Sequence, residues 1–262
     1  MFLDFKGKTA LVTGAAGAIG KGIAAGYLQC GANVFITDID QKAIDAAVKE
    51  LSGKEGKCAG LAADVTKEEQ VKAVVAGAKQ LGGGKVHILA NVAGIVGQAK
   101  IEEETEAQWD KIFAVNCKGS FFFIKQVVPL MKAQKYGKIV NFSSKSGKTG
   151  SALMTAYSAA KAAVMGMTQA LAFELANDNI MVNCVCPGIT DHTGVWKNVS
   201  AGYIDNMKMS REDVIKTFTS KIPLKRLASI DDVVALTIFL SSKGSDYMTG
   251  QSINVTGGRE MH

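Results

Sequence analysis

Thr9-Ala10-Leu11-Val12-Thr13-Gly14-Ala15-Ala16-Gly17-Ala18-Ile19-Gly20 is the stretch whose reading decides the fold. Its first five residues are apolar or β-branched, as a short buried strand requires, and helical spacing takes over from Ile19. Glycines between the two permit a tight turn and close packing of helix on strand. The helix then points unpaired N–H groups and a partial positive charge at the turn, an arrangement suited to a diphosphate. Further strands are predicted at Asn33–Thr37, Lys57–Leu61, Val86–Asn91, Gly137–Asn141, Met181–Cys186 and Ser252–Val255. Helices are predicted at Ile19–Gln29, Gln41–Leu51, Lys67–Leu81, Thr105–Met131 (in one piece or two), Ala156–Leu175 and Asp231–Leu240. Strands alternating with helices predict an α/β fold, a doubly wound parallel sheet of about seven strands with helices on both faces.

The 262 residues suit one large domain, and no Ser/Gly/Pro-rich linker divides them. Apolar residues make up 47% and charged residues 21%, the balance of a globular protein that stays in water. The opening residues Met1 to Lys8 carry charges where a signal peptide needs an apolar centre, and no run approaches the roughly 18 apolar residues of a membrane span. The five cysteines (Cys30, Cys58, Cys117, Cys184, Cys186) are odd in number and lack metal-ligand spacing. Free thiols in the cytoplasm and no bound metal are expected, with Cys184 and Cys186 facing one packed layer of a strand. The net charge of +6 is spread over scattered lysines without interleaved aromatics, so nucleic acid and membrane are not expected partners.

Tyr157-Ser158-Ala159-Ala160-Lys161 sets a phenol and an ammonium one helical turn apart on one face. A free phenol ionises near pH 10, too high for a base at neutral pH, and a neighbouring cation favours the phenolate. Ser144 precedes Tyr157 by thirteen residues, and Asn116 lies upstream in Val115-Asn116-Cys117-Lys118-Gly119. Asp38 closes the second predicted strand, where a carboxylate can accept two ribose hydroxyls and repel a 2′-phosphate. A turn or N-cap role is the alternative for Asp38, compatible with the first.

These motifs together resemble the short-chain dehydrogenase/reductase family over nearly the whole chain. The glycine turn, departing from G-x-G-x-x-G, resembles that family's G-x-x-x-G-x-G turn. The resemblance implies a single Rossmann-type domain and a tetrad. In it Tyr157 is the general acid/base and Lys161 tunes Tyr157 and holds the nicotinamide ribose. Ser144 bonds the substrate oxygen, and Asn116 positions a relay water. Ser143 competes with Ser144. It implies a nicotinamide cofactor held by Gly14, Gly17, Ala18, Ile19 and Gly20, by Asp38, by Asp64-Val65 beside the adenine, by Asn91, Ala93 and Gly94, by Tyr157 and Lys161, and by Pro187-Gly188-Ile189-Thr190. Asp38, with Ala15 and Ala16 where a basic residue marks NADP use, points to NAD. The family's Asn-Asn-Ala-Gly stands here as Asn91-Val92-Ala93-Gly94, which puts one side-chain hydrogen bond in doubt, and His87 reads as structural.

The activity implied is transfer of a hydride between nicotinamide and the carbinol carbon of a small hydroxylated substrate. The stretches Asn141 to Ser151, Ile222 to Arg226 and Thr249 to Gly258 resemble polyol dehydrogenases, those of phosphorylated hexitols among them. The substrate expected is a sugar alcohol or small polyol, with or without a phosphate, touching Ser144, Lys145, Tyr157 and Trp196. A bulkier apolar alcohol such as a hydroxysteroid, a diol or acetoin, and a binding protein that senses NAD without turnover are the alternatives. Residues 189–223, polar but carrying Trp196, Met207 and Met209, read as a substrate lid. The resemblance also implies a homotetramer paired through Lys111–Met131 and Ala156–Leu175.

Overall fold

The structure is a computed structural model that describes residues 3–194, 196, 200, 208 and 210–262. Seven parallel strands, β1 (Thr9–Thr13), β2 (Asn33–Thr37), β3 (Cys58–Gly60), β4 (Ile88–Asn91), β5 (Gly137–Phe142), β6 (Ile180–Pro187) and β7 (Ser252–Val255), form one sheet in the order β3-β2-β1-β4-β5-β6-β7. The five inner strands are buried on both faces and read as largely apolar runs, while the edge strands β3 and β7 are half-buried. Ala10 and Val12 pack with α1 (Ala18–Gln29), α2 (Gln41–Leu51) and α9 (Ile230–Ser241), while Leu11 between them packs with α3 (Glu68–Leu81), α5 (Gly119–Gln134) and α7 (Thr155–Leu175). The same division recurs at Val34, Phe35 and Ile36 on β2. Register is therefore fixed, since a slip of one residue would exchange the two cores.

Small residues set how closely the layers approach. A Cβ on Gly22 would stand 2.8 Å from Ile230 and one on Gly26 3.1 Å from Val234, so both let α1 lie against α9. Strand order reverses between β1 and β4, the place where open α/β sheets form a crevice at their carboxyl ends.

The expected strands and helices are present, with ends displaced by no more than three residues. Thr105–Met131 is broken. It forms α4 (Glu106–Phe113), one π-helical turn at Ala114–Lys118, and α5. Among the described residues, two α-helices were not foreseen. The five-residue α6 (Lys145–Thr149) follows β5, and α8 (Arg211–Ser220) lies in a region read as irregular and polar. Ser210 caps α8 by accepting from the Asp213 N–H at 3.1 Å. Met207 and Met209 lie outside the described residues.

Candidate active site

The glycine turn is shaped by contacts that admit no side chain. Gly14 takes φ +65°, and a Cβ there would stand 2.8 Å from Ala93. A Cβ on Gly20 would come within 2.3 Å of the Gly14 carbonyl oxygen. The glycines fall at 14, 17 and 20, so Ala18 occupies the place of the middle glycine of G-x-x-x-G-x-G and begins α1. Gly17 caps α1 with no side-chain partner, leaving the first N–H groups to meet an anion.

Asp38 follows β2, and its carboxylate accepts the Ala16 N–H at 3.0 Å and its own neighbour Ile39 N–H at 2.8 Å. It thus braces the turn from the next strand. The N-cap of α2 is Asp40, so the capping role considered for Asp38 belongs two residues later. Asp64 turns back on its own loop, accepting from the Thr66 hydroxyl at 2.7 Å and N–H at 2.9 Å. The hydroxyl is the main reason its carboxyl sits below the usual range. Val65 is buried beneath Gly119, whose Cβ would stand 2.7 Å from it.

At the end of β4, Asn91 donates to Asn141 at 2.9 Å, and Asn141 donates to Thr168 on α7 at 2.9 Å. Val92, where the second asparagine was missed, costs no strand closure. Its N–H and that of Ala93 both donate to the Thr13 hydroxyl at 3.0 Å. His87 accepts the Thr9 N–H at 3.0 Å through Nδ1, and burial pushes its pKa down to about 4, so the ring is neutral and structural. Cys184 and Cys186 are buried together against Val164 and Met165 of α7, in the one layer expected.

The four tetrad candidates converge. Ser144 caps α6, its oxygen accepting the Ser146 N–H at 3.1 Å, which leaves its proton to donate into the cleft. Ser143 is turned away and donates to the Lys161 carbonyl at 2.8 Å, an internal tie that removes it as a competitor. Gly147 makes this possible, because a Cβ there would stand 2.6 Å from the Ser143 oxygen and 2.8 Å from the Lys161 carbonyl carbon. Lys161 is buried, donates to the Phe142 carbonyl at 2.8 Å, and lies 5.8 Å from the centre of the Tyr157 ring. Burial lowers its pKa to about 8. Burial also raises the Tyr157 phenol, and the Ser144 hydroxyl opposes that rise. The lowering expected from Lys161 is therefore not produced by the protein's own groups, in which desolvation prevails.

Asn116 sits in the π-helical turn, a local widening often found at functional sites. Its side-chain nitrogen donates to the Ile112 and Ile95 carbonyls, each at 2.9 Å, and its oxygen is buried without a partner. Gly94 lies over it. A Cβ on Gly94 would stand 2.6 Å from that oxygen and 3.2 Å from the Lys161 Nζ, so both polar atoms face one small space.

A cleft of about 470 Å³ opens over these groups, within the usual size of small-molecule sites. Ile19, Gly94, Asn116, Ser144, Tyr157 and Lys161 line it, as do Pro187, Gly188, Ile189 and Thr190. The shaped glycine turn, the N-terminus of α1 without a side-chain cap and this lining fit a nicotinamide dinucleotide. Lys145 and Trp196 also line it. Neither behaves as a surface residue. Trp196 is 3% exposed and meets Phe218 of α8 edge to face at 5.8 Å, and the Lys145 side chain is 17% exposed. Sequence reading missed Phe218, Lys221 and Arg259, which complete the wall. Nothing in their local sequence marks them. Among the described residues no group of His, Cys, Asp and Glu is arranged to hold a metal, and no helix is long and apolar enough to cross a membrane.

Residues 8–203 match the family described as short chain dehydrogenase. The chain belongs to the short-chain dehydrogenase/reductase family. It is 39% identical to the 3-oxoacyl-[acyl-carrier-protein] reductase of Thermotoga maritima, covering 98% of this chain and 99% of the relative. It is 37% identical to galactitol 2-dehydrogenase of Agrobacterium fabrum and 35% identical to sorbitol dehydrogenase of Cereibacter sphaeroides, each over 97% of this chain and 98% of the relative. A crystal structure assigned provisionally as a gluconate dehydrogenase of Agrobacterium tumefaciens superposes with a TM-score of 0.88 at 30% identity, covering 99% of this chain and 98% of the other. The protein is therefore an oxidoreductase of this family, in which a nicotinamide cofactor is the rule.

Proposed function

We propose that this oxidoreductase uses NAD to interconvert a secondary alcohol and a ketone on a sugar alcohol or small polyol, with or without a phosphate. The observation that carries this reading is the convergence of Tyr157, Ser144, Lys161 and Asn116 on a cleft that Ile19, beside the glycine turn, also lines. Relatives named for sorbitol, galactitol and gluconate support the substrate class. NAD is favoured by Asp38, fixed beside the turn by the Ala16 N–H, where it suits ribose hydroxyls and repels a phosphate.

In alcohol oxidation, Ser144 donates a hydrogen bond to the substrate oxygen and holds it against Tyr157. Tyr157 takes the hydroxyl proton as phenolate, and in ketone reduction returns it. Lys161, cationic at neutral pH and fixed by the Phe142 carbonyl, holds the ribose beside the phenol. The Asn116 oxygen and Lys161 Nζ together position a water that passes the proton onward. When bound, oxidised nicotinamide supplies the acceptor for the hydride leaving the carbinol carbon, and its positive charge favours the phenolate. The chain acts as one domain, with residues 189–223 as a lid and a cytoplasmic homotetramer as its working form.

The apolar stretch of wall formed by Trp196, Phe218 and Met154 favours a second reading, a bulkier apolar alcohol. A screen of NAD reduction over polyols, polyol phosphates, diols and hydroxysteroids separates the two. Turnover of polyols that Tyr157→Phe abolishes without loss of NAD binding upholds the proposal. Turnover confined to hydroxysteroids, or activity with NADP only, refutes it. Binding of NAD with no turnover at all would instead mark a sensor.

A further inference from the structure

After β7 the chain reverses through Gly257 (φ +64°) and Gly258 (φ +89°), pressed against the loop that follows α8. A Cβ on Gly257 would stand 2.7 Å from Ile222, and one on Gly258 3.0 Å from Pro223. The Glu260 carbonyl accepts from Asn254 at 3.0 Å and from the Thr256 hydroxyl at 3.1 Å, which pins the segment to the end of β7. This turn carries Arg259 to the cleft wall.

The charges there are one-sided. Among the described residues lining the cleft, the charged ones are Lys145, Lys161, Lys221 and Arg259, with no carboxylate. Lys161 is engaged beside Tyr157, which leaves Lys145, Lys221 and Arg259 in the lining. One carboxylate stands behind them. Glu260, only 8% exposed, places Oε1 3.3 Å from the Arg259 Nε and 3.8 Å from the Lys145 Nζ. It orients both and neutralises the charge of one. The Arg259 guanidinium lies 5.7 Å from the centre of the Phe218 ring, and its NH1 is buried with no hydrogen-bond partner. A buried guanidinium N–H without an acceptor is costly, and a fork held on one edge by a carboxylate and on its face by an aromatic ring presents its other edge to an anion.

We propose that the substrate carries a carboxylate or phosphate distal to its carbinol, and that Arg259, held by Glu260 and assisted by Lys145 and Lys221, selects for it. This rests on the proposed oxidation of a polyol and names its class: an anionic polyol. Lys145 follows Ser144 directly, so the anion lies within one small substrate's length of the reacting oxygen. The diphosphate of the cofactor is met elsewhere, at the glycine turn.

The test compares a hexitol, its terminal phosphate ester and the corresponding hexonate as substrates with NAD. In parallel, titration calorimetry follows binding of the same three compounds to the NADH-loaded protein. We expect kcat/KM at least 30-fold higher for one anionic compound than for the hexitol, and which one identifies the anion. In Arg259→Met that advantage falls at least tenfold, and in Lys145→Gln, the second variant, at least threefold. An anion advantage absent in the wild type, or one that survives both substitutions, overturns the inference and leaves polyol oxidation standing. Greater loss of NADH binding than of anion binding in Arg259→Met also overturns it, since the arginine would then serve the cofactor. Arg259-dependent anion binding without turnover of any polyol upholds the anion site and removes the polyol reading. Neither binding nor turnover removes both.

Discussion

Replacing Gly94 by alanine tests whether Asn116 and Lys161 act through the space they share. The added Cβ would stand 2.6 Å from the Asn116 oxygen, where ordinary contact begins at 3.4 Å. The amide must therefore retreat by about 0.8 Å, yet its nitrogen is anchored to the Ile95 and Ile112 carbonyls. A misplacement near 1 Å costs about 10²-fold in rate, equivalent to roughly 2.7 kcal/mol of transition-state stabilisation. We expect kcat/KM for polyol oxidation to fall about 30- to 100-fold. Folding should suffer little, because Gly94 lies outside the buried core and needs no left-handed backbone. The assay is steady-state NAD reduction, with thermal melting as control, on Gly94→Ala, Asn116→Ala and the double variant. If the displaced amide is the cause, the double variant is no slower than Asn116→Ala, because the two losses share one mechanism. A Gly94→Ala enzyme within threefold of wild type, or fully additive losses, refutes the reasoning.

Asp38→Ala should raise KM for NAD about 10- to 100-fold, the value of a charge-assisted hydrogen bond, and narrow the gap to NADP; unchanged preference in initial rates would reject the ribose role. Because burial raises the Tyr157 phenol, kcat/KM for alcohol oxidation should climb with pH and that for ketone reduction should fall, and a flat profile on both sides would remove Tyr157 from the proton step. His87 has its folded pKa lowered to about 4 from 6.5, so the unfolded chain takes up the proton first as pH falls, and the stability this represents is lost between those values. From pH 7 to pH 5 that loss is about 2 kcal/mol, and urea unfolding of His87→Gln should show a fall smaller by about that amount; equal falls would deny the shift.

Some of this protein could be read from one dimension because the determining interactions are local. A strand–glycine–helix turn depends on residues within one segment, and a phenol and an ammonium one helical turn apart share a face wherever the helix is placed. Short β-branched and apolar runs located the inner strands, since a doubly buried strand must be largely apolar along its length. The sequence left Thr105–Met131 open as one helix or two, because the π-helical turn between α4 and α5 leaves both the apolar pattern and the helical propensity intact. The turn also depends on Asn116 reaching the Ile95 carbonyl twenty-one residues away. The choice of Ser144 over Ser143 rested on spacing; its physical reason, Ser143 bonded to Lys161, exists only once β5 lies against α7.

What the sequence by itself determined is therefore the fold class, the glycine turn and the tetrad candidates, all products of short-range geometry and hydrophobic period. What only the tertiary structure decided is the character of the substrate wall. Trp196, Phe218, Lys145 and Arg259 come from four separate segments that share one cleft, Arg259 brought there by the chain reversal at Gly257 and Gly258. Charge and burial at such a place depend on which distant residues share it, and no local pattern encodes that.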